Sequence, residues 1–254
     1  MRFVRIGLFS FTLMLVVSAC SPQPTPTSEP QAAYVVTTPA YEDWVKIQVN
    51  SYWEVQPGNG VIPLVYPFAD GLEKVKRGEG ELLISASPPQ EGWFATPLQT
   101  DAIAILVHPE VGLDDLSIQQ LYDIFFGREE NWSAFNGEDL LIQPIIPLQG
   151  DEIRTTFQSD VLNGARFTSN SLLAPHPQAA TALLEDNPGS IAILPWTSVS
   201  DEVTPLMLEG IRLSPTNIEN GKYPLTLNVI ATAPEEPAEV MRQFLGWLQA
   251  TLLP

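Results

Sequence analysis

Residues 102–107 read Ala-Ile-Ala-Ile-Leu-Val, a run without one polar side chain. A strand with one wet face alternates apolar and polar residues, so an unbroken run implies a strand covered on both faces. The parallel sheet, sandwiched between helices, is the usual setting for such a strand, and the rest of the chain agrees with it. Segments 34–37, 61–65, 82–85, 140–146 (interrupted by Pro144) and 190–194 also read as strands. Between them lie helix-like segments: 41–53, 69–77 closed by Gly78, a segment from Gly150 carrying Ile153, Phe157 and Val161, and 179–184. Strands alternating with helices are the signature of an α/β architecture.

The best-specified helix begins at Ser117. Ser117 and Gln120 have the spacing of a capping box, in which each side chain satisfies a free backbone N–H of the other. Ile118, Leu121, Tyr122 and Phe125 then share one helical face, and Gly127 supplies the stop. A last helix is expected from near Pro237, burying Val240, Phe244, Trp247 and Leu248.

The N-terminus points to export. Arg2 and Arg5 precede an apolar run over 6–17 that is too short for a comfortable membrane span, which is the layout of a cleaved signal peptide. The run ends in Val17-Ser18-Ala19-Cys20, a lipobox pattern, so residues 1–19 are expected to be removed and Cys20 acylated. Cys20 is the only cysteine, so no disulfide can form within the chain. Segment 21–31, SPQPTPTSEPQ, has no large apolar side chain and reads as an extended stalk between a lipid anchor and a folded body. At about 3.1 Å per residue it would reach roughly 34 Å.

The formal charge of −18 argues against nucleic acid and against electrostatic docking on anionic lipid. His108 and His176 lack metal-ligand spacing, and no nucleophile motif, phosphate-cradling glycine loop or cofactor fingerprint is present. The expectation is therefore a protein without enzymatic activity, metal or cofactor.

Several short motifs, in a fixed order, carry a family resemblance. They are Asp101 to Pro109 (DAIAILVHP), Leu116 to Gly127 (LSIQQLYDIFFG) with Asn131-Trp132, Gln149 to Phe157 (QGDEIRTTF), Asn187 to Ile193 (NPGSIAI) and Asn220 to Leu225 (NGKYPL). Together they resemble the phosphate-binding branch of the solute receptors of ABC importers over roughly residues 80–250. The resemblance implies a type II periplasmic binding protein fold: two α/β lobes joined by two crossover strands, with a ligand cleft between them. It implies lobe 1 from 33–100 and 197–254, lobe 2 from 101–196, and crossovers after Asp101 and near Pro195-Trp196, behind an anchor and linker at 20–32. It further implies a small oxyanion ligand, an ABC permease partner, a monomer, and an extracytoplasmic place on the cell membrane.

Site residues follow from the same resemblance. Thr37 and Thr38 stand in the loop after the first strand, where the family receives its oxyanion, although that loop has no glycine here. Ser85 and Ser87 fall after the strand at 82–85, and Asp101 matches an aspartate at the first crossover. Gly150, Asp151 and Arg154 lie in the loop that opens a helix, Arg154 matching the arginine that clamps the anion. Asp151, Glu152 and Ile153 replace the family's serine, glycine and threonine. A carboxylate about 5 Å from a bound anion repels it by roughly 3 kcal/mol at an effective dielectric near 20, so an oxyanion receptor should turn Glu152 out to solvent. Asp151 is also a good helix N-cap, and Thr37, Thr38, Ser85 and Ser87 suit ordinary turns. Two readings stand: a solute receptor feeding a permease, or a receptor-fold surface module that no longer binds solute tightly because Asp151 fills the anion's place.

Overall fold

The computed structural model describes residues 32–252, apart from Asn59 and Asp201. Cys20, the signal segment and the stalk to residue 31 lie outside the described residues; Ala32, expected as linker, already begins the first strand. In chain order the elements are β1 (Ala32–Thr37), α1 (Glu42–Val55), β2 (Gly60–Val65), α2 (Phe68–Lys76), β3 (Leu82–Ser85), β4 (Phe94–Val107), β5 (Asp115–Leu116), α3 (Ile118–Phe126), β6 (Gln143–Pro147), α4 (Glu152–Asp160), β7 (Leu172–Ala174), α5 (Pro177–Asp186), β8 (Ser190–Pro195), β9 (Met207–Leu208), α6 (Pro215–Glu219), β10 (Thr226–Ala233) and α7 (Glu239–Leu252).

Strand order is β2-β1-β3-β10-β4-β8-β6-β7, with β5 and β9 forming a separate pair. Strand β4 is the member that both halves share. Its first part, Phe94 to Ala102, pairs with β10; its second part, Ile103 to Val107, pairs with β8. The change of partner falls after Ala102, one residue beyond Asp101. The β2-β1-β3 and β8-β6-β7 groups are each parallel inside.

The apolar run of β4 is covered on both faces, yet its neighbours β10 and β8 both run antiparallel to it. Ile103, Ile105, Ile191 and Ile193 belong to the main core, whereas Leu106, Ala192 and Leu194 pack with Leu184 of α5 in a second one. What removes polar residues from a strand is cover on both faces, whatever the direction of its neighbours.

The segment after residue 196 keeps to the second half of β4. Met207 and Leu208 pair with Asp115 and Leu116, and the Leu206 N–H donates to the Ile105 carbonyl. The Tyr223 hydroxyl donates to the Ile103 carbonyl at 3.1 Å. The chain thus stays beside the second half of β4 until β10 takes it back to β3. β10 was not anticipated, and neither was the first part of β4, where Pro97, Gln99 and Thr100 interrupt the apolar pattern that would have marked the longer strand.

Helix α3 follows its sequence signals closely. Ser117 Oγ accepts from the Gln120 N–H at 3.1 Å, the Gln120 side chain accepts from the Ser117 N–H at 2.7 Å, and Gly127 closes the helix at φ 86°. Phe125 then packs edge-on against Phe157 of α4, with ring centroids 4.7 Å apart. That contact braces the helix whose N-terminus borders the candidate site.

Candidate functional site

Three chain segments converge at the ends of β1, β3 and β6. Thr37, the last residue of β1, and Thr38 after it are both buried. The Thr37 hydroxyl donates to the Ile84 carbonyl at 3.1 Å, so it is spent on joining β1 to β3. Thr38 stands at the cap position of the turn Pro39–Tyr41 but makes no cap bond with its side chain. Its hydroxyl donates instead to Glu152 Oε1, at 2.8 Å.

The loop after β3 contributes main chain. The Ala86 N–H donates to the same Glu152 Oε1 at 3.1 Å. Ser85 is buried and pairs with Ile230 of β10, while Ser87 is half-buried further along. Sequence reasoning fixed on the two hydroxyls and missed the amide between them, since a backbone donor leaves no mark in residue type.

After β6 the chain turns through Gly150 into α4. Asp151 is the N-cap, its Oδ1 accepting from the Ile153 N–H at 2.8 Å and from the Arg154 N–H at 3.4 Å. Burial raises its carboxyl above the usual range, while those two N–H donors pull the other way. Glu152, the first residue of α4, is only 4% exposed. Far from turning outward, it carries its carboxyl into the space between Thr38 and Ala86. Its second oxygen, Oε2, is buried and meets no hydrogen-bond donor among the described residues. Burial pushes the group up to about 7, with Thr38 and Ala86 opposing and the Asp151 charge adding to the rise.

Arg154 is turned elsewhere. Its Nη1 donates to the Pro147 carbonyl at 3.0 Å, and its guanidinium lies 5.2 Å from the centre of the Phe167 ring. Asp101 is fully buried at the point where β4 changes partners. Its Oδ1 accepts from the Ala102 and Thr197 N–H groups at 2.8 and 3.3 Å, and its Oδ2 from the Thr197 hydroxyl at 3.0 Å. Burial raises it to about 6 against the pull of those bonds. The buried Tyr41 hydroxyl lies beside Asp101 without a hydrogen bond of good geometry, and burial followed by the Asp101 and Glu152 charges pushes it up.

A cavity of about 80 Å³ adjoins this cluster, bordered by Thr38, Pro39, Phe68, Gly150, Asp151 and Glu152 among others. That is room for two or three waters, at about 30 Å³ each. Of the expected residues, the structure brings Thr38, Gly150 and Asp151 to the cavity; Thr37 and Ser85 end β1 and β3, and Asp101 lies within β4. Ser87 and Arg154 do not border it. Trp93, near the Ser87-Pro88-Pro89 loop, packs against the Val36, Val75 and Leu83 cluster. His108 and His176 both cap helical turns through Nδ1, accepting from the Glu110 and Ala179 N–H groups.

The sequence pattern of the PBP superfamily domain matches residues 24–251. The chain belongs to the PBP superfamily. Within that superfamily it is similar to the phosphate-binding protein PstS of Bacillus subtilis strain 168, with 26% identity over 188 residues. That match takes in 71% of this chain and 62% of the relative, so the chain spans less than two thirds of the relative's length. A solved structure of a putative phosphate ABC transporter substrate-binding protein from Clostridium perfringens, with bound phosphate, superposes with a TM-score of 0.79 at 20% identity. It covers 86% of this chain and 93% of its own. An ABC-type phosphate transport receptor from Vibrio cholerae superposes with a TM-score of 0.69 at 18% identity, covering 85% of this chain and 93% of its own. These likenesses establish the architecture, a type II periplasmic binding protein fold of two α/β lobes joined by crossover strands.

Proposed function

We propose that this chain is the solute-binding receptor of an ABC importer, with phosphate or a related oxyanion as its solute. One observation carries the reading: the Thr38 hydroxyl and the Ala86 N–H, from the ends of two adjacent parallel strands, meet on a single carboxylate oxygen. Donors brought together at strand ends, beside a helix N-terminus, are the means by which a sheet protein holds an oxyanion. The names of the similar proteins point to the same solute class. A second reading, a receptor-fold module without tight solute binding, is favoured by the presence of Glu152 on those donors. Calorimetry of the protein against phosphate, sulfate and molybdate separates them. Saturable binding of any one supports the receptor; no heat with all three leaves the module.

The proposal includes the lobes and the anchor. The first lobe would comprise residues 33–100 and the return through β10 and α7. The second would run from 101 to about 225, because 206–223 bond to β4 and β5. Asp101, with Thr197, would tie the two crossovers together. Cys20 would carry the lipid and hold the protein, as a monomer, on the extracytoplasmic face of the cell membrane beside its permease. No helix among the described residues is long and apolar enough to cross a membrane. Labelling with a fatty-acid analogue should mark the wild type and not Cys20→Ser; equal label would remove the anchor.

A further inference from the structure

We propose that the Glu152 carboxyl is a resident occupant of the oxyanion site: it takes the donors an external oxyanion would use, ties the two halves of the molecule together, and must be displaced before a solute can bind. This rests on the receptor reading above and determines which solutes can enter.

Glu152 opens α4, a helix that follows β6 in the second half of the sheet, whereas Thr38 and Ala86 belong to the first half. The contacts at 2.8 and 3.1 Å therefore join the two halves through one oxygen, as an anion held between lobes would. The geometry is incomplete in an informative way. A carboxylate offers about four lone-pair sites, yet Oε2 is shut off from solvent and unpartnered. Among the described residues no arginine or lysine contacts the group, Arg154 being held by Pro147 and Phe167. A buried carboxyl with two neutral donors and no cation is a poor occupant in its charged form. It is therefore one that an oxyanion with better contacts can replace.

Among the described residues, the titratable groups around it are few. On its own helix stand Asp151, whose charge adds to the rise, and Arg154, turned away. From the first half come the Tyr41 phenol, which senses the Glu152 charge, and Asp101, which shares that tyrosine. Helix α2 brings only Phe68 to the cavity, the loop after β3 meets the carboxyl through the Ala86 N–H, and His176 lines a separate recess that Asp151 also borders. The sign follows from the direction of the shift. Glu152 is raised from 4.5 to about 7 when the site is shut on it, and returns towards the ordinary value once displaced into water. The shut state thus holds a proton that the displaced state releases. It is favoured below the ordinary pKa and weakens as pH rises through about 7, by on the order of a hundredfold in the equilibrium.

Two readouts on wild type, Glu152→Gln and Glu152→Ala test this. The first needs no solute: small-angle scattering of the unliganded protein at pH 5 and pH 8. Wild type should be compact at pH 5 and more open at pH 8, Glu152→Gln compact at both, and Glu152→Ala open at both. Identical profiles for all three would overturn the proposal even if a solute binds. The second is calorimetry with sulfate, which keeps its charge over this range. Sulfate should bind wild type more tightly as pH rises towards 7, approaching tenfold per unit at the steepest, and bind Glu152→Gln without pH dependence. At pH 5 it should bind Glu152→Ala at least tenfold more tightly than wild type. Affinity that falls with rising pH would instead make Glu152 a donor to the solute and refute the displacement. If scattering behaves as stated while no oxyanion binds any of the three, the oxyanion reading fails and the resident carboxyl stands.

Discussion

Replacing Asp101 with asparagine should stabilise the protein at alkaline pH. Asp101 is 0% exposed, and burial lifts its carboxyl from the ordinary 3.8 to about 6 in spite of three hydrogen bonds. A group whose folded pKa is raised supports folding fully below its unfolded pKa, and that support is lost as pH climbs through the folded value. At about 1.4 kcal/mol per unit, the charge therefore costs about 3 kcal/mol above pH 7. Asparagine keeps an oxygen for the Ala102 and Thr197 N–H groups and presents an amide to the Thr197 hydroxyl, which can rotate to accept. Thermal melts of both proteins at pH 8 and pH 4 measure the difference. For a chain of this size the substitution should raise Tm by roughly 6–12 °C at pH 8 and change it little at pH 4. Asp101→Ala leaves three donors without an acceptor and should fall below the asparagine variant by at least about 2 kcal/mol. A Tm gain for Asp101→Asn that is equal at both pH values, or a loss confined to pH 8, would refute the burial argument.

Arg154→Ala removes a charged hydrogen bond to the Pro147 carbonyl and a cation–ring contact, so stability should drop by about 1–3 kcal/mol in urea titrations. Oxyanion affinity should fall less than tenfold; a larger loss would mean that the guanidinium swings into the site on binding. Gly189→Ala should destabilise by about 3 kcal/mol or more, because Gly189 sits at φ 82° and an added Cβ would lie 2.3 Å from the Leu141 carbonyl oxygen. The same residue accepts the Trp132 indole N–H at 2.7 Å, so tryptophan emission should shift red; unchanged melting and emission would show that the turn can relax.

Some of the molecule could be read directly because it depends on neighbours along the chain. The capping box of α3 is set by residues three apart, and its stop by a glycine free to adopt positive φ; both lie where Ser117, Gln120 and Gly127 place them. The apolar run in β4 likewise records its own burial, and the ordered motifs were enough to indicate the receptor architecture. Strand direction was not recorded there, since an antiparallel neighbour covers a strand as fully as a parallel one.

The site divides along the same line. Thr38, Gly150 and Asp151 were legible as loop residues following strands, and the carboxylate at 152 was visible as a departure from its relatives' pattern. Where that carboxylate points depends on how two segments more than a hundred positions apart are brought together. The Thr38–Glu152 bond spans a sequence separation of 114, and the Ala86–Glu152 bond one of 66. From sequence, repulsion of a bound anion turned Glu152 outward, because the only partner considered was the solute. The tertiary structure supplies two donors at the same point, and a carboxyl that gains hydrogen bonds and can keep its proton is able to remain buried.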